Sequence, residues 1–272
     1  MKSPTDRRAV ESLVGFVLVF SLITSSVGAV YVFGFGGLQD TRDAEQLSNV
    51  ESAFDVLADN VEDVQRRGAP HRATEFKLYR ATLGTGEQTT FSVTVGNWDS
   101  GDGTPVSASV ASVPVVYRPE GSETTLRYLN GAVLRTERNG AVMLHDPPLV
   151  LRSTGGERTA VFPFVQTRAD GGSTVSGSTT VLVRADGVTS ETLVGGVDAP
   201  ADTGDSRYDV ALTVDTSPAR ASVWADHLNE EFEAAYTLAG PPCSTTGGTV
   251  TCTFETDRLF VSATRVDVSV ED

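Results

Sequence analysis

The chain has 272 residues, enough for an N-terminal anchor, a connecting helix and either one sizeable outer domain or two small ones. Its 36 acidic residues against 21 basic ones give a formal charge of −15, which excludes nucleic acid as a partner because phosphates demand a basic surface. Such acidity is read first as solvation, ahead of a binding site for cations or basic partners.

The first element is a basic head followed by an apolar run. Lys2, Arg7 and Arg8 precede a stretch whose only charge is Glu11, and Leu13 to Phe35 carries none. As a helix, that uncharged run extends about 35 Å at about 1.5 Å per residue, enough to cross a hydrocarbon core of about 30 Å. An ordinary secretory signal has a shorter core of about 7–15 residues before a small-residue cleavage site. Ser26-Val27-Gly28 or Val27-Gly28-Ala29 imitates such a site, but apolar residues continue through Tyr31, Val32, Phe33 and Phe35. A retained membrane helix is therefore expected over 10–37, with a basic leader at 1–9. Basic residues on the short side keep the head cytoplasmic and place everything beyond about residue 38 outside, as a single-pass protein in contact with membrane lipid.

Glu11 at the edge of this helix has two readings. An ionisable group there marks function when it finds a partner, or it simply sits among headgroups. Ser21, Ser25 and Ala29 recur every fourth residue and form a narrow small-residue stripe suited to close helix packing.

Gly34, Gly36 and Gly37 suggest a hinge where the chain leaves the bilayer. An amphipathic helix over 38–68 follows, with Leu47, Val50, Phe54, Leu57, Val61 and Val64 at +3 and +4 spacing. Arg66 and Arg67 suit its C-terminal dipole, and Gly68 and Pro70 stop it. A coiled-coil stalk of the same periodicity is the alternative, but with fewer than four clear heptads packing on the chain's own sheet is the preferred reading.

From about Glu75 the period changes to two, and 75–272 reads as a β-rich extracellular domain. Phe91, Val93 and Val95 alternate with polar residues, as do Val106, Ala108 and Val110. Asn130-Gly131 and Asn139-Gly140 are hairpin signals that predict a three-stranded meander. Further strands are expected around Thr159–Gln166, Thr174–Arg184, Tyr208–Val214, Val250–Phe254 and Leu259–Val270, with Pro163 marking an edge or bulge. One helix over about 218–236 interrupts them, capped by Ser217-Pro218, with Trp224, Leu228, Phe232 and Tyr236 as its buried stripe. The only cysteines, Cys243 and Cys252, flank a turn-rich segment, and a local disulfide fits an outside location. The fold class is thus α+β: a transmembrane helix, an amphipathic helix, and a mainly antiparallel β domain with one further helix.

No catalytic constellation stands out. GxSxG, HExxH, a phosphate-binding glycine-lysine loop and a dinucleotide fingerprint are all missing from the sequence. His71, His145 and His227 are widely spaced and read as structural or exposed. Asp99 and Asp102 lie in one Gly-rich loop and Asp198, Asp202, Asp205 and Asp209 in another, without EF-hand spacing, so solvated turns are the default over calcium sites. The reading is non-enzymatic, with no cofactor or metal.

Asp6-Arg7-Arg8-Ala9 followed by Val10-Glu11-Ser12-Leu13-Val14-Gly15-Phe16-Val17-Leu18-Val19-Phe20 resembles the start of an archaeal type IV pilin precursor. The resemblance implies a prepilin-type peptidase cutting between Ala9 and Val10, a helix kept on the mature chain, and assembly with itself or with other pilins. Bacterial-type pilins carry a glutamate at the fifth mature position, whereas Glu11 would be second. Thr124–Arg152 and Tyr208–Tyr236 resemble parts of an uncharacterised haloarchaeal family of pilin-like surface proteins. The composition agrees in character: Lys2 and Lys77 are the only lysines, and a dense carboxylate surface resembles that of proteins from extreme halophiles, where salt screens self-repulsion. The expected function is a pilin-like cell-surface subunit, in filaments or anchored. The alternative is a membrane-anchored extracellular binding module that never polymerises, and an exported hydrolase ranks third.

Overall fold

The computed structural model describes residues 4–96, 105–171, 174–196 and 207–272, the side chains of 4–12, 32–40 and 196 excepted. It is α+β with mostly antiparallel sheets and divides into two units, Met1–Asn49 and Val50–Asp272.

Helix α1 runs without interruption over Pro4–Arg67. The hinge expected at Gly34, Gly36 and Gly37 is helical instead, so the segments 10–37 and 38–68 belong to one helix. Each glycine costs a helix interior only about 0.5–1 kcal/mol relative to alanine and still donates its hydrogen bond, whereas proline, the residue that would break it, is absent between Pro4 and Pro70. Within the second unit the anticipated stripe is the buried one: Val50, Phe54, Leu57, Val61 and Val64 are covered, and Asp55 and Asp59 are exposed. Arg66 and Arg67 pair with Glu62 and Asp63 one turn back, each at 2.8 Å. Gly68 then enters the left-handed region at φ +67°, and the Ala69 amide donates to the Asp63 carbonyl at 3.3 Å.

The strands begin earlier than the alternation suggested, with β1 at His71–Lys77, followed by β2 (Ala81–Thr85), β3 (Thr89–Val95), β4 (Val106–Ser112) and β5 (Val115–Pro119). The meander is β6 (Thr125–Leu129), β7 (Ala132–Glu137) and β8 (Gly140–His145), with β9 at Val150–Thr154 and β10 at Glu157–Ala169. Its first turn holds Asn130 at φ 52° and Gly131 at φ 81°. A side chain at Gly131 would run into the Pro148 ring, so turn and packing both demand glycine. The second turn differs from expectation: Glu137 pairs with Gly140, which centres it on Arg138 and Asn139 without positive φ, and Arg138 grips Glu123 with two hydrogen bonds.

The stretch expected as one strand over Thr174–Arg184 splits at Gly177, φ 121°, into β11 (Thr174–Gly177) and β12 (Thr180–Gly196), which enter different sheets. The remaining elements are β13 (Tyr208–Asp215), helix α2 (Pro218–Ala235), β14 (Cys243–Thr246), β15 (Thr249–Thr256) and β16 (Arg258–Glu271). Three sheets result, ordered β1-β12-β16-β10-β9, β11-β2-β5-β6-β7-β8 and β14-β15-β13-β3-β4.

The first sheet serves two cores, one on each face. Along β10 the buried residues are Ala160, Phe162 and Phe164, then Val165 and Thr167; along β16 they are Leu259, Val261 and Ala263, then Thr264, Val266, Val268 and Val270. The β10–β16 register is unbroken across both steps, so the inward parity changes because the covered face changes. The earlier residues join the core closed by α2 and the third sheet, with Trp224, Leu228, Phe232 and Tyr236 in it. On β1, Phe76 meets Phe54 of α1 edge to face, with ring centroids 5.1 Å apart. Pro163 lies where β10 becomes an edge, since the pairing with β9 ends at Val161. Beyond it, side chains replace the missing strand. Gln65 donates to the Pro163 carbonyl at 2.6 Å, the Val165 amide donates to Asn130 at 2.7 Å, and the Thr167 amide donates to Ser112 at 3.2 Å.

Candidate functional site

The chain's most distinctive surface is the apolar part of α1. Leu13–Tyr31 is a 19-residue helical stretch, none of it buried, that is long and apolar enough to cross a membrane as an anchor or to serve as a signal sequence. Phe16, Leu18, Phe20, Leu22, Ile23, Val27 and Val30 are all more than half exposed. Soluble proteins rarely leave a continuous apolar face of this size in water, and the two roles that fit it are a membrane anchor and a signal sequence. Helical geometry satisfies the backbone internally, and the Ser26 hydroxyl donates to the Leu22 carbonyl at 2.7 Å.

Ser21, Ser25 and Ala29 lie on this exposed stretch, one turn apart. The backbone of Arg7, Arg8, Ala9, Val10 and Glu11 is helical, while their side chains fall outside the described residues. Asp99, Asp102, Asp198, Asp202 and Asp205 likewise lie outside them, and Asp209 belongs to β13. Among the described residues no group of three or more His, Cys, Asp or Glu side chains is placed to hold a metal ion.

Cys243 and Cys252 face each other across the β14–β15 pair and are joined by a disulfide. Asn229 of α2 braces the bridge: the Cys243 amide donates to its Oδ1 at 2.9 Å, and its Nδ2 donates to the Cys243 carbonyl at 3.3 Å. Mass measurement after alkylation of unreduced protein should find no labelled thiol. Cys252→Ser should cost about 2–4 kcal/mol, since the closed loop restrains the unfolded chain.

The structure gathers polar groups that sequence spacing did not. A cleft of about 200 Å³ is lined by Glu62 and Arg66 of α1, Tyr128 of β6, His145 at the end of β8 and Asp146 just beyond it. The Tyr128 hydroxyl is fully buried, and burial pushes its pKa well above the ordinary value. Asp146 also stands 3.5 Å from His227 on α2, and His145 stands 3.9 Å from Asp55 on α1. Two histidines read as unrelated therefore flank one loop, and only the packing of α1 and α2 onto the meander brings them there. His71 is exposed on β1.

One family model, described only as that of a family of unknown function, matches residues 8–269. No curated protein matches the chain. No solved structure matches it either.

Proposed function

Since the chain belongs to the DUF7289 family of unknown function, and family membership carries no activity, we propose from its own residues that it is a non-enzymatic, pilin-like cell-surface subunit anchored or assembled through its N-terminal helix. The observation that carries this reading is the exposed, uncharged helical stretch Leu13–Tyr31, continuous with a helix whose last turns are buried in the β-rich unit. In this reading Lys2, Arg7 and Arg8 hold the head in the cytoplasm and the β-rich unit lies outside. A prepilin-type peptidase cuts between Ala9 and Val10 on the cytoplasmic side. That bond sits in the first turns of α1, where helix ends fray and an extended substrate conformation is accessible.

After processing, Val10 begins the helix, Glu11 follows at its edge, and Ser21, Ser25 and Ala29 offer a close-packing seam to a second helix. The disulfide agrees with an oxidising compartment. The dense carboxylate surface suits a salt-rich exterior, and the archaeal, halophilic source remains part of the proposal.

A second reading has one observation in its favour. The polar cleft beside Tyr128 gives a membrane-anchored binding module a place to hold a ligand. Shearing cells and imaging the released material separates the two. An assembled subunit comes off in filaments that contain the chain, whereas a lone anchor stays with the membrane fraction.

A further inference from the structure

The dipeptide Asn-Gly stands at both turns of the meander, and the fold places the two copies in opposite surroundings. Asn-Gly is the pair most open to attack on the asparagine side chain by the next backbone nitrogen, because glycine sets no Cβ in the way. Whether that attack happens depends on room and freedom. At the β6–β7 turn both are denied. Asn130 is buried, its Oδ1 accepts from the Val165 amide at 2.7 Å, and the space beside Gly131 is filled by Pro148. Its carboxamide cannot swing onto the Gly131 nitrogen without breaking a buried hydrogen bond and displacing that ring.

At the β7–β8 turn both are granted. Asn139 and Gly140 are exposed, and a Cβ on Gly140 would meet nothing within 4 Å. The neighbouring side chain is engaged elsewhere, since Arg138 is held by Glu123, and no described residue hydrogen-bonds the Asn139 carboxamide. Glu137 and Gly140 close the turn as the last pair of the ladder, and β8 is the outermost strand of its sheet. The end of an edge hairpin opens at low free energy, which frees the Gly140 amide.

We propose that Asn139 is a site of spontaneous covalent modification, deamidation through a cyclic imide, from which the fold shields Asn130. The Gly140 nitrogen gives its proton to solvent base and attacks Asn139 Cγ. The new N–Cγ bond closes a five-membered imide, the Cγ–Nδ2 bond breaks, and the nitrogen leaves as ammonia with a proton from water. Water then opens the ring at either carbonyl. Opening at Cγ gives aspartate, and opening at the main-chain carbonyl gives isoaspartate, with the chain rerouted through Cβ. Both products add a negative charge beside the Arg138–Glu123 pair. Isoaspartate also adds a backbone atom to a turn of two residues, so the Glu137–Gly140 pairing loosens first. Among the described residues no strand pairs with the far edge of β8, so the disturbance is not passed to another strand.

The test is a time course of the full chain, folded in uncharged detergent at high salt and mildly alkaline pH, followed by digestion and peptide mapping by mass and retention. The Asn139 peptide should convert to both aspartate and isoaspartate forms. The Asn130 peptide should convert about tenfold more slowly or less, because its reaction waits on an opening of the buried turn. In urea the two rates should converge, since the local sequences then compete on equal terms. Gly140→Ala should slow conversion at Asn139 alone: Gly140 has no positive φ, so the turn accepts alanine, and the new methyl crowds the attacking nitrogen. Three results overturn the proposal: an unconverted Asn139 in folded protein whose urea-unfolded form converts, equal rates at the two sites in the folded chain, or aspartate as the sole product, which would mean direct hydrolysis without the imide.

Discussion

Replacing Trp224 by alanine should lower the stability of the β-rich unit by about 3–5 kcal/mol, the range for emptying a large buried aromatic site. Trp224 is 2% exposed and sits where α2 meets the sheets, its ring edge-on to Phe91 with centroids 5.6 Å apart. Its indole nitrogen makes no hydrogen bond, so the loss is one of packing alone. The neighbours are rigid: Phe91 also packs against Phe164 at 5.5 Å, which leaves the cavity little room to collapse. Urea unfolding of the full chain measures the change. Val56→Ala, on the outward face of α1 and half exposed, is the control and should stay within about 0.5 kcal/mol of wild type. A Trp224→Ala loss below about 1 kcal/mol would contradict the placement of α2 in the core.

Diluting salt should have an effect of comparable size. Loss of residues 1–9 removes three basic residues and one acidic residue, so the formal charge of −15 becomes −17. The screening length is about 3 Å at 1 M salt and about 10 Å at 0.1 M, so dilution exposes each carboxylate to more of its neighbours. Ion pairs strengthen at the same time, but exposed ones such as Arg66–Glu62 and Arg138–Glu123 contribute at most about 1 kcal/mol each. Repulsion prevails because carboxylates outnumber cations. A fall of about 10 °C in melting temperature between molar and 0.1 M salt corresponds to a few kcal/mol for a unit of this size. A melting temperature indifferent to dilution would sink the halophilic reading.

Much of the fold was legible because local chemistry was strong. The stripe from Val50 to Val64, the Ser217-Pro218 start of α2 and the Asn130-Gly131 turn each follow from periodicity or φ preference, and each stands where expected. The misreadings have two causes: a local signal weaker than it looked, and tertiary context that overrode one. Gly34, Gly36 and Gly37 weaken a helix without breaking it. Asn139-Gly140 yielded the turn to Arg138-Asn139, where Arg138 is held by Glu123. No pattern could reveal that β10 and β16 change their buried face at Phe164/Val165 and Ala263/Thr264, because which face is covered depends on α1 and α2. Site residues divide in the same way. The apolar run announced itself by length, whereas His145 and His227 looked unrelated until packing set them beside one loop.

The proposed function depends on which peptide bond is cut. A prepilin-type peptidase leaves the apolar stretch on the mature protein, an ordinary secretory cut near Ala29 destroys it, and an unprocessed anchor keeps the basic head. Replacing Arg8-Ala9 should block maturation only in the first case. N-terminal sequencing of the membrane-associated protein is the direct measurement: the account predicts Val10 as the first residue, and a terminus at Val30, with the helix needed for assembly removed, would contradict it.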